Sequence, residues 1–293
     1  MQFNRRSLNR RVINARHRRT SASGSAPFRL GRSVHSLHDV TIALLDAAIA
    51  VLKSNQNDDA VHTARIACKR GRAALRLLRD CLGPVAYRRE NRAIRDASKP
   101  LTAVRDACML RRTLRRLSLR GRALQRRLDT EYRSERNALR RRGARAALRQ
   151  LQITRERLLH FSVNASEVWS AKAGMRRTFK AGRKAFLNAR SNDDQALHES
   201  RKQAKYLLNQ MDILTMVFNV NFKKYRRRAK KLAEILGNDH DLAVLVSRLH
   251  RTPIDEPSGT KYIKGKRSLL QARAFRVAKK LYRHRAKSLA AFF

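Results

Sequence analysis

From about Val34, apolar residues recur every three or four positions through VHSLHDVTIALLDAAIAVLK, a spacing that predicts an amphipathic helix. The polar run Ser54-Asn55-Gln56-Asn57-Asp58 interrupts it and predicts a loop before a second helix. Leu82-Gly83-Pro84 is expected to stop that second helix, since Gly suits the residue after a helix end and Pro cannot continue the hydrogen-bond ladder. Further breaks are expected at Lys99-Pro100, at Ser191 to Asp194, at Leu236-Gly237-Asn238-Asp239, and from Thr252-Pro253 to Gly259. What remains reads as about ten helices. With only 11 Gly and 5 Pro in 293 residues, and with Ala, Leu, Arg and Lys dominating nearly every stretch, the expected class is all-α.

The second helix has an unusual charge pattern. At about 100° per residue, His62, Arg65, Lys69, Arg72, Arg76 and Arg79 share an arc of about 100°. Ile66, Ala67, Ala73, Ala74, Leu75, Leu77 and Leu78 fill most of the remaining circumference. Like charges three or four residues apart repel by a few tenths of a kcal/mol per pair, and no carboxylate in this seam relieves them. An anion would. On the next helix Arg88, Arg92, Arg95 and Lys99 lie at i, i+4, i+7 and i+11 and form a second basic row.

An internal repeat multiplies these rows. Val61-His62-Thr63-Ala64-Arg65 followed by Lys69 recurs as Leu197-His198-Glu199-Ser200-Arg201 followed by Lys205, an offset of 136 residues from His62 to His198. Leu101–Leu110 matches Leu236–Leu245, with Asp106 facing Asp241 at an offset of 135. Two related helical halves, about 33–120 and about 121–293, follow as the simplest architecture, each a bundle. In the second half Lys223, Arg227 and Lys230 match the second row, with Glu234 where Lys99 would be. Leu208 and Asp212 stand where the first half has Arg72 and Arg76, so the first half is expected to carry more of the binding.

Composition fixes what the rows are for. The chain has 69 Lys and Arg against 22 Asp and Glu, a net charge of +47, and folding gains nothing from such self-repulsion. The excess points to a polyanionic partner. Hydrophobic residues make up 42%, enough for a sizeable core. Cys68, Cys81 and Cys108 offer neither a C-x-x-C pair nor an even count, so a reducing compartment fits and a zinc site does not. No apolar run suits a membrane span, and the expectation is a cytoplasmic protein. Residues 1–32 read as a flexible basic arm; lacking Asp and Glu, they also have the composition of an organellar transit peptide, although the rest of the chain is equally Arg-rich.

HTARIACKRGRAALRLLRD and HESRKQAK, each followed by a helix ending in Lys-Pro or Leu-Gly and then an Asp near the next helix start, resemble the two halves of the CHAD domain, the conserved histidine α-helical domain. The resemblance spans roughly residues 34–293. It implies two four-helix bundles with pseudo-two-fold symmetry around a basic central cavity, binding of inorganic polyphosphate, and association with polyphosphate granules. Carried over by position, it places His62, Arg65, Lys69, Arg72 and Arg76 on the ligand in the first half, and His198, Arg201 and Lys205 in the second. Where the family continues its second motif with a basic residue and a Tyr, this chain has Leu208 and Asn209. The Glu-x-Glu-x-Lys signature of the triphosphatase domain often fused to CHAD is missing from the chain, so that activity is not implied.

The competing chemistries divide on residue types. Single-stranded nucleic-acid grooves interleave aromatic side chains with basic ones, and the seams contain no aromatic residue, which favours polyphosphate; non-specific nucleic-acid binding is the rival expectation. Long Arg and Lys side chains also lie along helices merely to keep them soluble, and only convergence of the rows separates the readings. His62 and His198 are either extra cations beside phosphate or neutral side chains orienting a neighbour. His240-Asp241 with His198 upstream has the look of a metal phosphohydrolase set, but the repeat places Arg105-Asp106 at the matching position and only the Asp is shared. Asp106 and Asp241 are therefore read as favouring a helix start or pairing with a seam Arg. Gly259 to Arg267 misses the P-loop glycine spacing and lacks the Ser or Thr that would hold magnesium. No cofactor, metal or catalytic residue is expected, and the protein reads as non-enzymatic.

Overall fold

A computed structural model of the protein describes residues 36–117, 122–161, 166–189, 193–249 and 257–283. The N-terminal arm and the Thr252-Pro253 break lie outside these residues. Among them the regular elements are ten α-helices: α1 (Leu37–Ser54), α2 (Asp58–Leu77), α3 (Arg79–Ala97), α4 (Lys99–Arg116), α5 (Arg122–Ala138), α6 (Ala144–Leu159), α7 (Glu167–Asn188), α8 (Asp194–Phe218), α9 (Lys223–Leu249) and α10 (Pro257–Leu281). A single π-turn, Leu139–Gly143, joins α5 to α6. No helix of the described residues is long and apolar enough to cross a membrane.

Helix starts are set by the expected chemistry. Asn57 caps α2 by accepting from the Ala60 amide at 2.8 Å, with Asp58 and Asp59 in the first turn, and Asp193 caps α8 by accepting from the Ala196 amide at 2.9 Å. The α1 start has a remote partner as well: the Glu167 carboxylate, at the head of α7, accepts from the Leu37 and His38 amides at 2.7 and 3.1 Å.

Packing makes α2 the hub. Ala64, Ala67, Ala73, Ala74, Leu75 and Leu77 are fully buried on it, and α1, α3, α4, α7 and α8 all pack against it. Small residues let these neighbours come close. A Cβ on Gly174 of α7 would stand 2.5 Å from the Arg76 carbonyl oxygen and 2.9 Å from Leu77 Cα, so only Gly fits that crossing. Helix α6 lies against both α1 and α3, so with α2 these four helices form a closed ring of neighbours. Helices α7 to α10 pack in succession, and Leu110, Leu114, Leu124, Leu128, Leu242, Leu245, Val246 and Ile263 tie α4 and α5 to α9 and α10.

Three expected boundaries move. Helix α2 ends at Leu77, before Leu82-Gly83-Pro84, because Ser170 Oγ from α7 donates to the Leu77 carbonyl at 2.6 Å and accepts from the Asp80 amide at 3.2 Å. The Gly83-Pro84 break remains as a kink inside α3, with Gly83 at φ 72°. Arg79 thereby leaves the α2 seam, and its guanidinium lies 5.4 Å from the Tyr87 ring. The break expected at Leu236–Asp239 is absent: α9 runs through it, because Asp239 is buried and accepts from Arg267 and Gln271 of α10 at 3.0 and 3.1 Å. Finally, Gly259 to Arg267 lies within α10 rather than in a loop.

Candidate functional site

Helices α2 and α8 pack against each other and bring the two His-x-x-Arg-x-x-x-Lys motifs into one electrostatic neighbourhood. Arg201 acts on Arg65, and both act on Lys69 and Lys205. The two motifs therefore meet instead of facing opposite solvents. The starts of both helices are anchored alike: Asp58 accepts from Arg136 at 2.9 Å and from Tyr132 at 2.8 Å, while Asp194, 136 residues on, pairs with Arg267.

The two arginines are held differently. Arg65 Nε donates to Thr102 Oγ1 at 3.1 Å and its Nη2 to Asp106 Oδ1 at 3.2 Å, so α4 fixes its fork. Of the roles expected for Asp106, pairing with a seam Arg is the one observed. At the position matching Thr102, α9 carries Gly237, whose absent Cβ would lie 3.6 Å from Arg201 Nε, and that buried Nε has no hydrogen-bond partner. Asp241 is near enough to favour the charged form of Arg201, but burial lowers the readiness of both Arg65 and Arg201 to hold their protons.

The lysines and histidines feel the same field. Burial, with Arg65, Lys205 and Arg201 beside it, lowers Lys69 from 10.5 to about 6, and burial with Arg201 and Arg65 lowers Lys205 to about 8. His62 falls to about 4 through burial and the nearby Arg105, Arg65 and Lys69, and its buried Nδ1 has no partner. His198 is lowered too, by burial and then Arg201 and Lys202. In the protein alone both histidines are thus neutral near pH 7. Burial raises the Asp241 carboxyl, although Arg201, Arg116 and Lys205 oppose it. Together these shifts describe a cluster of cations short of counter-charge.

Farther along α2, Arg72 Nε donates to Asn91 Oδ1 at 3.0 Å, and Arg76 Nη1 donates to the Arg72 carbonyl at 2.9 Å. Tyr206 of α8 brings an aromatic ring to this end, against the expectation of an aromatic-free seam: Arg76 lies 3.7 Å from the ring centroid. The ring is buried and its face is covered by the guanidinium, so it supports the arginine and offers no stacking platform.

The remaining sequence candidates lie in the open. Arg88, Arg92, Lys223 and Arg227 are exposed. Arg95 pairs with Asp96 at 3.3 Å while adding to the field on Arg72. Lys99 begins α4 beyond the Ser98 break, so it leaves the α3 row, and it pairs with Asp96 at 3.0 Å. Lys230 lies 3.9 Å from Glu234. Residues missed from sequence include Arg105, which acts on His62, Arg65 and Lys205; its place beside the repeated Asp106 was the available signal. Thr102, Asn91, Tyr206 and Gly237 carried no such signal.

His198 and His240 lie 4.6 Å apart between ring centroids, tilted at 45°, and burial with Arg201 and His198 holds His240 at about 4. Among the described residues no group of three His, Cys, Asp or Glu side chains is placed to hold a metal ion. Both nearby carboxylates, Asp194 and Asp239, are engaged by Arg267.

With known proteins the chain has these likenesses. The family model described as CHAD domain matches residues 36–250. A crystal structure of the CHAD domain from the plant Ricinus communis is similar at 19% identity and a TM-score of 0.54, covering 92% of this chain and 96% of that one. PptA from Streptomyces chartreusis is similar at 14% identity and a TM-score of 0.59, covering 84% of this chain and 96% of its own. At these identities the likeness is one of fold. No curated protein matches.

Proposed function

The chain belongs to the CHAD domain family, and from that premise we propose that it binds inorganic polyphosphate, without enzymatic turnover, through the cations gathered between α2 and α8. The observation that carries the reading is the meeting of Arg65, Lys69, Arg201 and Lys205, two from each repeat, in one partly desolvated field whose nearest carboxylates are Asp106 and Asp241. A chain of phosphates supplies the missing negative charge, and arginine forks can grip two phosphate oxygens at once. The unpartnered Arg201 Nε and His62 Nδ1 are the side-chain atoms best placed to gain a hydrogen bond from it. Two related bundles lying about this cluster, and association with polyphosphate granules in the cell, complete the proposal. Asp106 paired with Arg65, and its repeat counterpart Asp241 beside Arg201, support the relation between halves.

The test is titration of labelled long-chain polyphosphate into the protein at fixed ionic strength. Arg65→Glu combined with Arg72→Glu is expected to abolish binding, whereas reversal of Arg10 and Arg11 in the arm leaves most of it. Equal losses from the two variants overturn the assignment. Incubation with polyphosphate and divalent metal is expected to release no phosphate, and a His240→Ala-sensitive release would establish an enzyme instead.

A further inference from the structure

Helices α5 and α6 with the π-turn form one rod from Arg122 to Leu159. Its inner face buries Leu124, Leu128 and Leu139, then Ala144, Ala147, Leu151 and Leu158. Leu139 and Ala144 are five residues apart, the π spacing, so the turn absorbs one extra residue and keeps both inner rows on the protein. The outer row is kept continuous by the same adjustment.

At about 100° per residue, Arg126, Arg133 and Arg140 fall within an arc of about 40° on the side away from Leu124 and Leu128. Beyond the turn, Arg145 follows Arg140 at the same five-residue spacing, and Arg145 and Arg149 fall within about 40° on the side away from Ala147 and Leu151. All five are exposed, and among the described residues none has an acidic partner. Of the rod's four acids, Asp129 pairs with Arg111 of α4 at 2.5 Å and Glu131 with Arg248 of α9 at 2.8 Å, Glu135 is half-buried, and the exposed Glu156, beyond the end of the row, pairs with Arg155 at 2.9 Å. A merely solubilising surface interleaves the two signs, whereas from Arg126 to Arg149 no exposed carboxylate stands among the outward arginines. None of the cations gathered between α2 and α8 lies on this rod.

We propose that this arginine row is a second polyanion surface, which binds the backbone of double-stranded nucleic acid without reading its sequence. The row lies on one exposed helical face and spans about 34 Å at 1.5 Å per residue, close to one duplex turn. Such a face cannot envelop a flexible chain, which would lose conformational freedom for one-sided contact; a stiff duplex, with a charge about every 1.7 Å, loses little. Single strands are disfavoured for another reason. Tyr132, the rod's sole aromatic residue, is turned inward onto Asp58 and Arg111, leaving no stacking platform.

The experiment is binding of a fluorescent mixed-sequence duplex DNA to the full chain across a salt series. Arg133→Glu, Arg140→Glu and Arg145→Glu together should weaken binding at least tenfold, and the corresponding triple change to Gln should lower the slope of log affinity against log salt by about 2 to 3, near 0.9 for each phosphate no longer neutralised. Polyphosphate binding and the thermal midpoint should hold. The Arg65→Glu and Arg72→Glu variant should show the reverse pattern, so that failure of the cleft reading is distinguishable from failure of this one. An unchanged duplex affinity and salt slope would overturn the proposal, as would loss of polyphosphate binding in the rod variants, which would make the row part of the polyphosphate site.

Discussion

Polyphosphate binding should be linked to proton uptake, and Lys69 sets the size of the effect. With Lys69 at about 6, its ammonium is present in about one molecule in a hundred at pH 8, so an anion that requires it binds on the order of 100-fold more weakly there than well below pH 6, a difference of about 3 kcal/mol. Lys205 at about 8 adds a further factor of about 2 at pH 8, and His62 and His240, both at about 4, stay neutral throughout the interval. Phosphate beside Lys69 raises its pKa, so between about 6 and that raised value binding takes up a proton and affinity falls as pH rises. Stability of the protein alone runs the other way. Unfolded Lys69 titrates near 10.5 and folded Lys69 near 6, so between them the unfolded chain holds the extra proton and the fold gains stability with rising pH. Calorimetric titration with long-chain polyphosphate at pH 7.5, in buffers of different ionisation enthalpy, should reveal about one proton taken up per site. Internal phosphates of a long chain stay ionised over this range, so the ligand does not supply the signal. Lys69→Arg keeps its charge and should flatten most of the profile between pH 6 and 8. Constant affinity across that interval, with no proton uptake by the unaltered protein, refutes the argument.

Gly237→Thr should restore to Arg201 the acceptor that Thr102 offers Arg65, and competition for Nε is expected to weaken polyphosphate binding about fivefold, one hydrogen bond's worth of about 1 kcal/mol. Gly237→Ala meets Arg201 only at ordinary contact distance and should raise stability by up to about 1 kcal/mol in urea unfolding, as expected for Gly to Ala inside a helix. Gly174→Ala is expected to do the opposite and cost about 3 kcal/mol, because its Cβ meets α2 backbone that cannot yield. Glu90 is 1% exposed and holds Arg157 of α6 by two bonds of 2.9 and 2.8 Å; Glu90→Ala strands that arginine and should lower unfolding stability by about 3 kcal/mol.

The seam on α2 was legible because it combines two signals that survive without tertiary information: a 3.6-residue period and a single sign of charge. Its meeting with α8 was legible only through the repeat, since neither motif alone names its partner. What failed was local reading of breaks. Gly237 has the look of a stop, yet α9 continues through it, because Asp239 is engaged from α10 and the space left by the missing side chain is used by Arg201, 36 residues earlier in the chain. Leu77 has no stop signal at all; a serine on α7 ends its helix. Tyr206 was invisible as a cleft residue for a related reason. It lies off the repeated motif, and only the crossing of α2 and α8 lays it against Arg76.

On the proposed reading, the same crossing gives the two halves contributions that differ in kind as well as in number. Arg65 is anchored by Thr102 and Asp106 before any anion arrives, so its geometry is prepared and its charge is partly answered. Arg201 has the weaker hold, with a buried Nε that lacks a partner and a carboxylate, Asp241, whose own ionisation burial opposes. An anion therefore gains little by displacing the contacts of Arg65 and more by satisfying Arg201, because a buried donor left unpaired costs about 1–3 kcal/mol that a phosphate oxygen returns. The half with fewer cations thus holds the more demanding one. On the proposed reading the larger row on α2 would provide the attraction, and the site's need for a ligand would be concentrated where α9 has a glycine in place of a threonine.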